Sequence, residues 1–289
     1  MRWERRVFPL VLCVLISACS LSPSSSKINS STITNRGSDT MVNLALAWAE
    51  AYAKEFPQME ISVSGGGSGT GITALTNNTV DIANVSRAMT LGEIQTAQSN
   101  GVNPLQFVVA RDAIAVIINP SNPVAELTLQ QVSDIFSGKI NNWTEVGGEN
   151  RPIVRVSREV NSGTHVYFLE SVIRLGNSKN TTIFSADTLL LPSSEGITSE
   201  VSQNPNAIGY DGLGYVTPAV KLVGLARDPA GPFVGPSKET VLDHTYLISR
   251  DLYMYTNGEP TGRLKDYLDW IRGPEAQQIV ANLGFIPIA

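Results

Sequence analysis

The stretch Arg158-Glu159-Val160-Asn161-Ser162-Gly163-Thr164-His165, REVNSGTH, runs from the strand-like IVRVSR into the apolar VYFLESVI. A helix start leaves backbone N–H groups without partners, and one serine or threonine is enough to cap it. Here a serine, a glycine and a threonine stand in a row, four residues after an arginine. Glycine lets a ligand approach the backbone, each hydroxyl adds a donor, and the guanidinium adds a planar charged fork. Similar entries occur at Gly37-Ser38-Asp39-Thr40 and around Ser68 in GGGSGTG, residues 65–71. Three such helix starts facing one cleft would suit a small tetrahedral oxyanion, whose oxygens all accept hydrogen bonds. Plainer readings exist for each: an ordinary N-cap at 37–40, a flexible turn at 65–71. The glycine loop is not a Walker loop, since no lysine follows it.

Outward from this stretch, strand and helix patterns alternate. Met41, Leu44, Trp48, Tyr52 and Phe56 follow a helical period stopped by Pro57. MEISVSG alternates like a strand, Ile72 and Leu75 open a short helix, and VDIANVS is a further strand. LQFVVA and AIAVIIN are two apolar runs. Thr128-Leu-Gln-Gln131 is a capping box opening a helix with Leu129, Val132, Ile135 and Phe136 inward. Val166, Leu169, Val172 and Ile173 mark the helix after REVNSGTH. AIGYDGLGYV, VKLVGL and TYLISRDLYMYT are strands or edges, and two helices close the chain around Leu268 and Val280. This alternation predicts an α/β protein with a parallel or mixed sheet covered on both faces. AIAVIIN and TYLISRDLYMYT are candidate crossings between two lobes, with residues 34–118 plus 246–289 as lobe I and 119–245 as lobe II.

The 289 residues are 42% hydrophobic and 16% charged, with 24 glycines and 16 prolines, enough for a full core in two domains. A net charge of −5 argues against a nucleic-acid surface. With histidine only at 165 and 244 and cysteine only at 13 and 19, a His/Cys metal site is not expected, and no cofactor is implied. Arg2, Arg5 and Arg6 precede an apolar segment too short to span a bilayer. It ends Leu15-Ile16-Ser17-Ala18-Cys19, a bacterial lipobox pattern in which Cys19 becomes the lipidated N-terminus. Residues 1–18 form the signal segment; losing its three Arg and one Glu takes the net charge from −5 to −7. Residues 19–33 are a Ser-rich tether, with a root-mean-square span of about 20 Å.

The lipobox, GSDTM, GGGSGTGI, VDIANVSR, LTLQQVSDIFSGKINNWTEVGG, RVSREVNSGTHVYF and GPEAQQIVANLGFIPI occur in this order. Together they resemble the phosphate-binding proteins of bacterial ABC transporters, the PstS family, over about residues 33–289. The resemblance implies a two-lobed periplasmic-binding fold of type II, each lobe a mixed sheet flanked by helices, joined by two crossing hinge strands. It implies inorganic phosphate held between the lobes and delivered to an ABC permease by a lipid-anchored, monomeric, non-enzymatic receptor outside the cytoplasm. Carried over by position, Ser68 donates its hydroxyl and Arg158, Ser162, Gly163 and Thr164 bind phosphate oxygens, while the first entry matches through Ser38, Asp39 and Thr40. Two departures stand out. Where members of the family place an Asp that accepts the proton of hydrogen phosphate, this chain has Ser86 or Arg87, depending on register. Conversely, Asp39 replaces a threonine, and we expect it to take over the acceptor role from the other side of the cleft.

Competing readings are a receptor for sulfate or molybdate, a surface protein whose phosphate binding serves sensing or adhesion, and a phosphatase using Ser162 with His165. The last is disfavoured because adjacent helical residues point in different directions, no third partner is apparent, and G-x-S-x-G is absent. Asp81 is expected to cap a strand end, and Arg87 to be a solvated charge.

Overall fold

The computed structural model describes Met1 and residues 32–288. Cys19, the signal segment beyond Met1 and the tether up to residue 31 lie outside the described residues. The tether was expected to reach residue 33, but Thr32 and Ile33 already open the first strand, because Ile33 buries its side chain in the core.

Along the chain run β1 (Thr32–Gly37), α1 (Val42–Glu55), β2 (Glu60–Ser64), α2 (Ser68–Thr76), β3 (Ile82–Val85), α3 (Leu91–Ser99) and β4 (Pro104–Ile118). Then come β5 (Glu126–Thr128), α4 (Leu129–Phe136), β6 (Val154–Arg158), α5 (Gly163–Phe168), β7 (Leu189–Leu191), α6 (Ser194–Gln203) and β8 (Ala207–Gly212). The chain closes with β9 (Lys221–Leu222), β10 (Gly224–Ala226), α7 (Lys238–Leu242), β11 (Ser249–Asn257), α8 (Gly262–Ile271) and α9 (Pro274–Asn282). A 3-10 turn at Asp39–Met41 leads into α1, and a π-helical turn at Leu169–Ile173 prolongs α5.

Nine strands form one mixed sheet in the order β2-β1-β3-β11-β4-β8-β6-β7, with β9 also on β4. β1 runs parallel to β2 and β3, and β6 runs parallel to β7 and β8. The apolar runs LQFVVA and AIAVIIN, read separately from the sequence, are one 15-residue strand, β4. Its first part pairs with β11 from Pro104↔Asn257 to Ala113↔Ser249, and its last part pairs with β8 from Ile114 to Ile118. β11 is shorter than TYLISRDLYMYT suggested. Tyr246 and Ile248 pack into the core ahead of the strand.

The hydrophobic cores divide on either side of this crossing. One cluster gathers residues from Ala113 to Ile248 with Ile286, around Phe136, Trp143, Phe168 and Tyr210. Two others gather Ile33 to Ala110 and Leu252 to Phe285, with Tyr215. α1 shows why the elements hold. Leu44, Trp48 and Tyr52 recur at helical spacing and are buried, each contributing about 1.5–3 kcal/mol of burial. The Trp48 indole N–H also donates to Ala276 O of α9 at 2.9 Å. Thr128 and Gln131 make the expected reciprocal capping box. A second such box, Thr90 with Glu93, starts α3, which the sequence reading did not find. Only Ala97 of α3 is fully buried, so it carries almost no apolar stripe.

Candidate functional site

Parallel strands deliver their C-terminal ends to the same edge of a sheet, which is where open α/β sheets place ligands. Here β1 ends at Gly37, β2 at Ser64 and β3 at Val85, which sends Ser38–Thr40, Gly65–Ser68 and Ser86 to one edge. In the other half, β6 ends at Arg158 and sends Ser162–Thr164 toward them. Ser38, Thr40, Ser68, Ser86, Arg158, Ser162 and Thr164 are all buried.

The contacts between these segments are direct. Thr40 Oγ1 lies 2.8 Å from Thr164 Oγ1, and Ser68 Oγ lies 3.2 Å from Ser86 Oγ. A Cβ placed on Gly163 would stand 2.3 Å from Ser68 Oγ and 2.6 Å from Ser86 Oγ, so the backbone of α5 touches the opposite half. Around this centre the halves are clasped. Gly69 N–H donates to Asn161 O at 3.0 Å, Asn161 Nδ2 to Gly66 O at 2.9 Å, and the Tyr215 hydroxyl to Asp39 O at 3.0 Å. The arrangement is a closed one.

The hydroxyls share a polarity. Ser68 Oγ accepts from Ser86 N–H at 3.0 Å, and Ser162 Oγ accepts from Thr164 N–H at 3.2 Å. Thr164 Oγ1 accepts from Arg250 Nη2 at 2.9 Å. A hydroxyl that accepts from the protein keeps its one hydrogen to donate. Ser162 therefore is a helix cap and also retains a donor.

Arg158 is buried at the end of β6. Its Nη1 donates to Ser194 Oγ at 2.7 Å and its Nη2 to Pro192 O at 2.8 Å, with Asp39 Oδ2 at 3.1 Å. Its Nε is buried without a protein partner. Asp39 Oδ2 also accepts from Ser194 N–H at 2.9 Å, while among the described residues Oδ1 takes no hydrogen bond. The Ser194 hydroxyl passes on to Asp211 Oδ1 at 2.9 Å. A second guanidinium, Arg250, pairs with the fully buried Asp112 at 3.0 Å. Two guanidiniums thus already face three carboxylates, and the site is not a net cationic pocket.

Burial pushes the Asp211 carboxyl up from 3.8 to about 7, against the lowering effect of Arg158 and of its hydrogen bonds from Gly212 N–H and Ser194. Between those two values the folded chain holds this proton more tightly than the unfolded chain. The stabilisation is therefore fully present below the unfolded value and is lost as pH rises through about 7. One such proton gives a slope of about 1.4 kcal/mol per pH unit. Denaturant unfolding between about pH 4 and about pH 7 should show it in the native chain and not in Asp211→Asn. An unchanged slope in the variant would assign the proton elsewhere.

The geometry brings the candidate residues Thr40, Ser68, Ser86, Gly163 and Thr164 into mutual contact, links Asp39 to Arg158 beside them, and puts Ser86 rather than Arg87 among them. Ser86 faces Ser68, whereas Arg87 turns away to Glu93 at 2.7 Å. Arg87 is therefore an ion-paired side chain rather than a solvated charge. Asp81 accepts from Thr34 N–H and Thr34 Oγ1, a structural tie between β1 and β3. His165 does not meet Ser162: its Nδ1 lies 3.1 Å from Ser157 Oγ, its ring stacks on Phe184, and burial lowers its pKa. Four residues were missed from sequence: Arg250, Asp112, Ser194 and Asp211. The first two had a readable signal, since each puts a charge inside an otherwise apolar strand, ARDAIAVIIN and LISRDLYMY. Among the described residues, no group of three His, Cys, Asp or Glu side chains has metal-site geometry, and no helix is long and apolar enough to cross a membrane.

Comparison with known proteins agrees with this geometry. A family profile described as the PBP superfamily domain matches residues 22–275. The phosphate-binding protein PstS of Pseudomonas aeruginosa is 34% identical over 276 residues, covering 90% of this chain and 84% of that one. PstS of Bacillus subtilis is 30% identical, covering 95% and 90%. Among solved structures, a putative phosphate ABC transporter substrate-binding protein of Clostridium perfringens with bound phosphate aligns with TM-score 0.79 and 32% identity, covering 89% of this chain and 100% of that one. A phosphate transport receptor of Vibrio cholerae aligns with TM-score 0.71 and 29% identity, covering 88% and 99%.

Proposed function

We propose, because this chain belongs to the PstS phosphate-binding proteins of the PBP superfamily, that it is an extracytoplasmic receptor that captures inorganic phosphate between two lobes and delivers it to an ABC permease. The lobes divide where β4 passes from β11 to β8 at Ala113–Ile114 and where β11 begins at Ser249, rather than at residues 118 and 246, and the first lobe opens at Thr32 rather than at residue 34. The observation that carries the reading is the shared polarity of the buried hydroxyls. Ser68, Ser162 and Thr164 each accept from the protein and so present hydrogens. An oxyanion, all acceptor, complements that array, and the unused Arg158 Nε–H adds a charged donor. Ser38, Thr40, Ser86 and Gly163 complete the proposed contact set. Closure then carries the recognition, since the donors come from both halves and meet only when the halves are shut.

Charge balance in the site means that selectivity must come from hydrogen-bond matching. Hydrogen phosphate brings one proton where sulfate brings none, so a carboxylate oxygen accepts from one and repels the other. Asp39 fills this role in our reading, with Oδ2 spent on Arg158 and Ser194 and Oδ1 left for the ligand. Titration calorimetry with phosphate, sulfate, arsenate and molybdate tests both points. Phosphate is expected to bind at least about a hundredfold more tightly than sulfate, and Asp39→Asn to narrow that ratio by about tenfold or more. Absence of phosphate binding would overturn the receptor reading, and an unaltered ratio in Asp39→Asn would remove Asp39 from selectivity.

Anchoring through a lipid on Cys19 belongs to the same proposal and rests on the lipobox in the sequence. In cells, Cys19→Ser should move the protein from the membrane to the soluble fraction. Retention at the membrane would refute the anchor.

A further inference from the structure

Arg250 and Asp112 face each other in register on β11 and β4, the two strands that cross between the halves. Both are buried, and Asp112 is fully so. An ion pair with only a structural task would be complete with the 3.0 Å contact from Arg250 Nη2 to Asp112 Oδ2. This guanidinium does more. Nη1 donates to Ser86 O at 2.8 Å, behind the Ser86 hydroxyl that faces Ser68, and Nη2 also donates to Thr164 Oγ1 at 2.9 Å. The guanidinium carbon sits 5.6 Å from the centre of the Tyr167 ring, on the helix that carries Thr164. One side chain at the crossing thus holds a site residue from each half.

The chemistry of that contact has one direction. A guanidinium has no acceptor, so Thr164 must accept from it, and the single hydrogen of Thr164 points elsewhere. Its neighbour is Thr40 Oγ1, 2.8 Å away in the other half. We propose that Arg250, fixed by Asp112, is a positioning residue of the oxyanion site: by donating to Thr164 it commits the hydrogen of that hydroxyl to the space between the halves. The assignment rests on the phosphate reading above and deepens it. Asp112 contributes by holding the guanidinium in place, since its other oxygen, Oδ1, takes the Leu213 N–H at 3.2 Å and fixes the carboxylate. Lysine cannot substitute, because one ammonium on a flexible stem does not present the fork that reaches Asp112, Ser86 and Thr164 together.

A double-mutant cycle tests the assignment, because a residue that acts through Thr164 loses its effect once that hydroxyl is gone. Phosphate is titrated into four proteins: wild type, Asp112→Asn with Arg250→Gln, Thr164→Val, and the triple variant. The paired amide substitution avoids leaving a buried carboxylate alone. In the native Thr164 background the paired substitution is expected to weaken phosphate binding by about ten- to a hundredfold, and in the Thr164→Val background by less than about threefold. Equal losses in both backgrounds would overturn the positioning role and leave the receptor reading intact. A wild-type protein that does not bind phosphate would overturn both. If the paired variant does not fold, Arg250→Lys, which keeps the charge pair, takes its place in the cycle. Wild-type affinity in Arg250→Lys would also overturn the assignment.

Discussion

Arg158→Lys is expected to lower phosphate affinity by about a hundred- to a thousandfold while the protein still folds. The arginine serves two sets of partners at once. Its Nη atoms are spent on Ser194, Pro192 and Asp39, and its Nε–H is buried with no protein partner. A lysine ammonium has three hydrogens on a flexible stem and no planar fork, so holding Asp39 and the anion together exceeds its geometry. Charge-assisted hydrogen bonds contribute about 1.5–3 kcal/mol each, and the stated range corresponds to about 2.7–4.1 kcal/mol, one strong bond or two weaker ones. The positive charge remains, so Asp39 and Asp211 are not stranded. Arg158→Met differs on that point: it leaves the half-buried Asp39 without its ion partner and the Ser194 hydroxyl without its donor, and should destabilise the fold by about 1–3 kcal/mol. Calorimetry and thermal unfolding without phosphate separate the two effects. Unchanged affinity in Arg158→Lys would take the guanidinium out of the site.

Gly163→Ala should have a comparable effect on binding with the opposite effect on stability. The added methyl would lie 2.3 Å from Ser68 Oγ, 3.0 Å from Ser68 Cβ and 2.6 Å from Ser86 Oγ, all in the other half. Either both hydroxyls rotate out of the site or the halves stop short of closing, and each outcome removes donors from the anion. We expect a loss of about a hundredfold or more. Gly163 is the first residue of α5, where alanine is the better helix former by up to about 1 kcal/mol. Unfolding without phosphate should therefore be unchanged or slightly raised if the halves part in the absence of the anion and so relieve the contact. Small-angle scattering adds a second readout: phosphate should compact the native protein and not the variant. Native-like affinity would mean that this contact is not needed for recognition.

The difference between what was and was not legible in the sequence follows from the range of the interactions. The helix entries at Ser38–Thr40, Ser68 and Ser162–Thr164 are local chemistry, set by glycine and small polar residues within a few positions, with a side-chain cap bond at Ser162 alone of the three starts. They stand where the sequence places them. The Arg250–Asp112 pair is not local, since its members lie 138 positions apart and meet only through the register of β11 on β4. The same two strands explain why one long strand read as two runs. Asp112 and Arg111 interrupt the apolar pattern, one buried against Arg250 and the other paired with Asp251 at 3.2 Å nearer the surface. α3 is a different case. Its Thr90–Glu93 box is present in the sequence, but a helix that buries only Ala97 carries almost no apolar period to accompany it, whereas the Thr128–Gln131 box is followed by one. Asp211 could not be singled out beforehand, because its raised proton affinity is created by burial, which outweighs the lowering effect of Ser194 and Arg158 arriving from other elements.

The position of β11 between β3 and β4 also bears on the order in which the protein can be made. A nascent chain that has not reached Ser249 has already synthesised β1 to β4 but lacks the strand that joins β3 to β4. Both of those edges stay open until the last strand slots in, and α8 and α9 still have to follow to cover it. The N-terminal part thus lacks the strand between β3 and β4 while the ribosome works through the middle of the message. A polypeptide that stays incomplete until nearly its end is made is one that a threading channel can still accept in extended form.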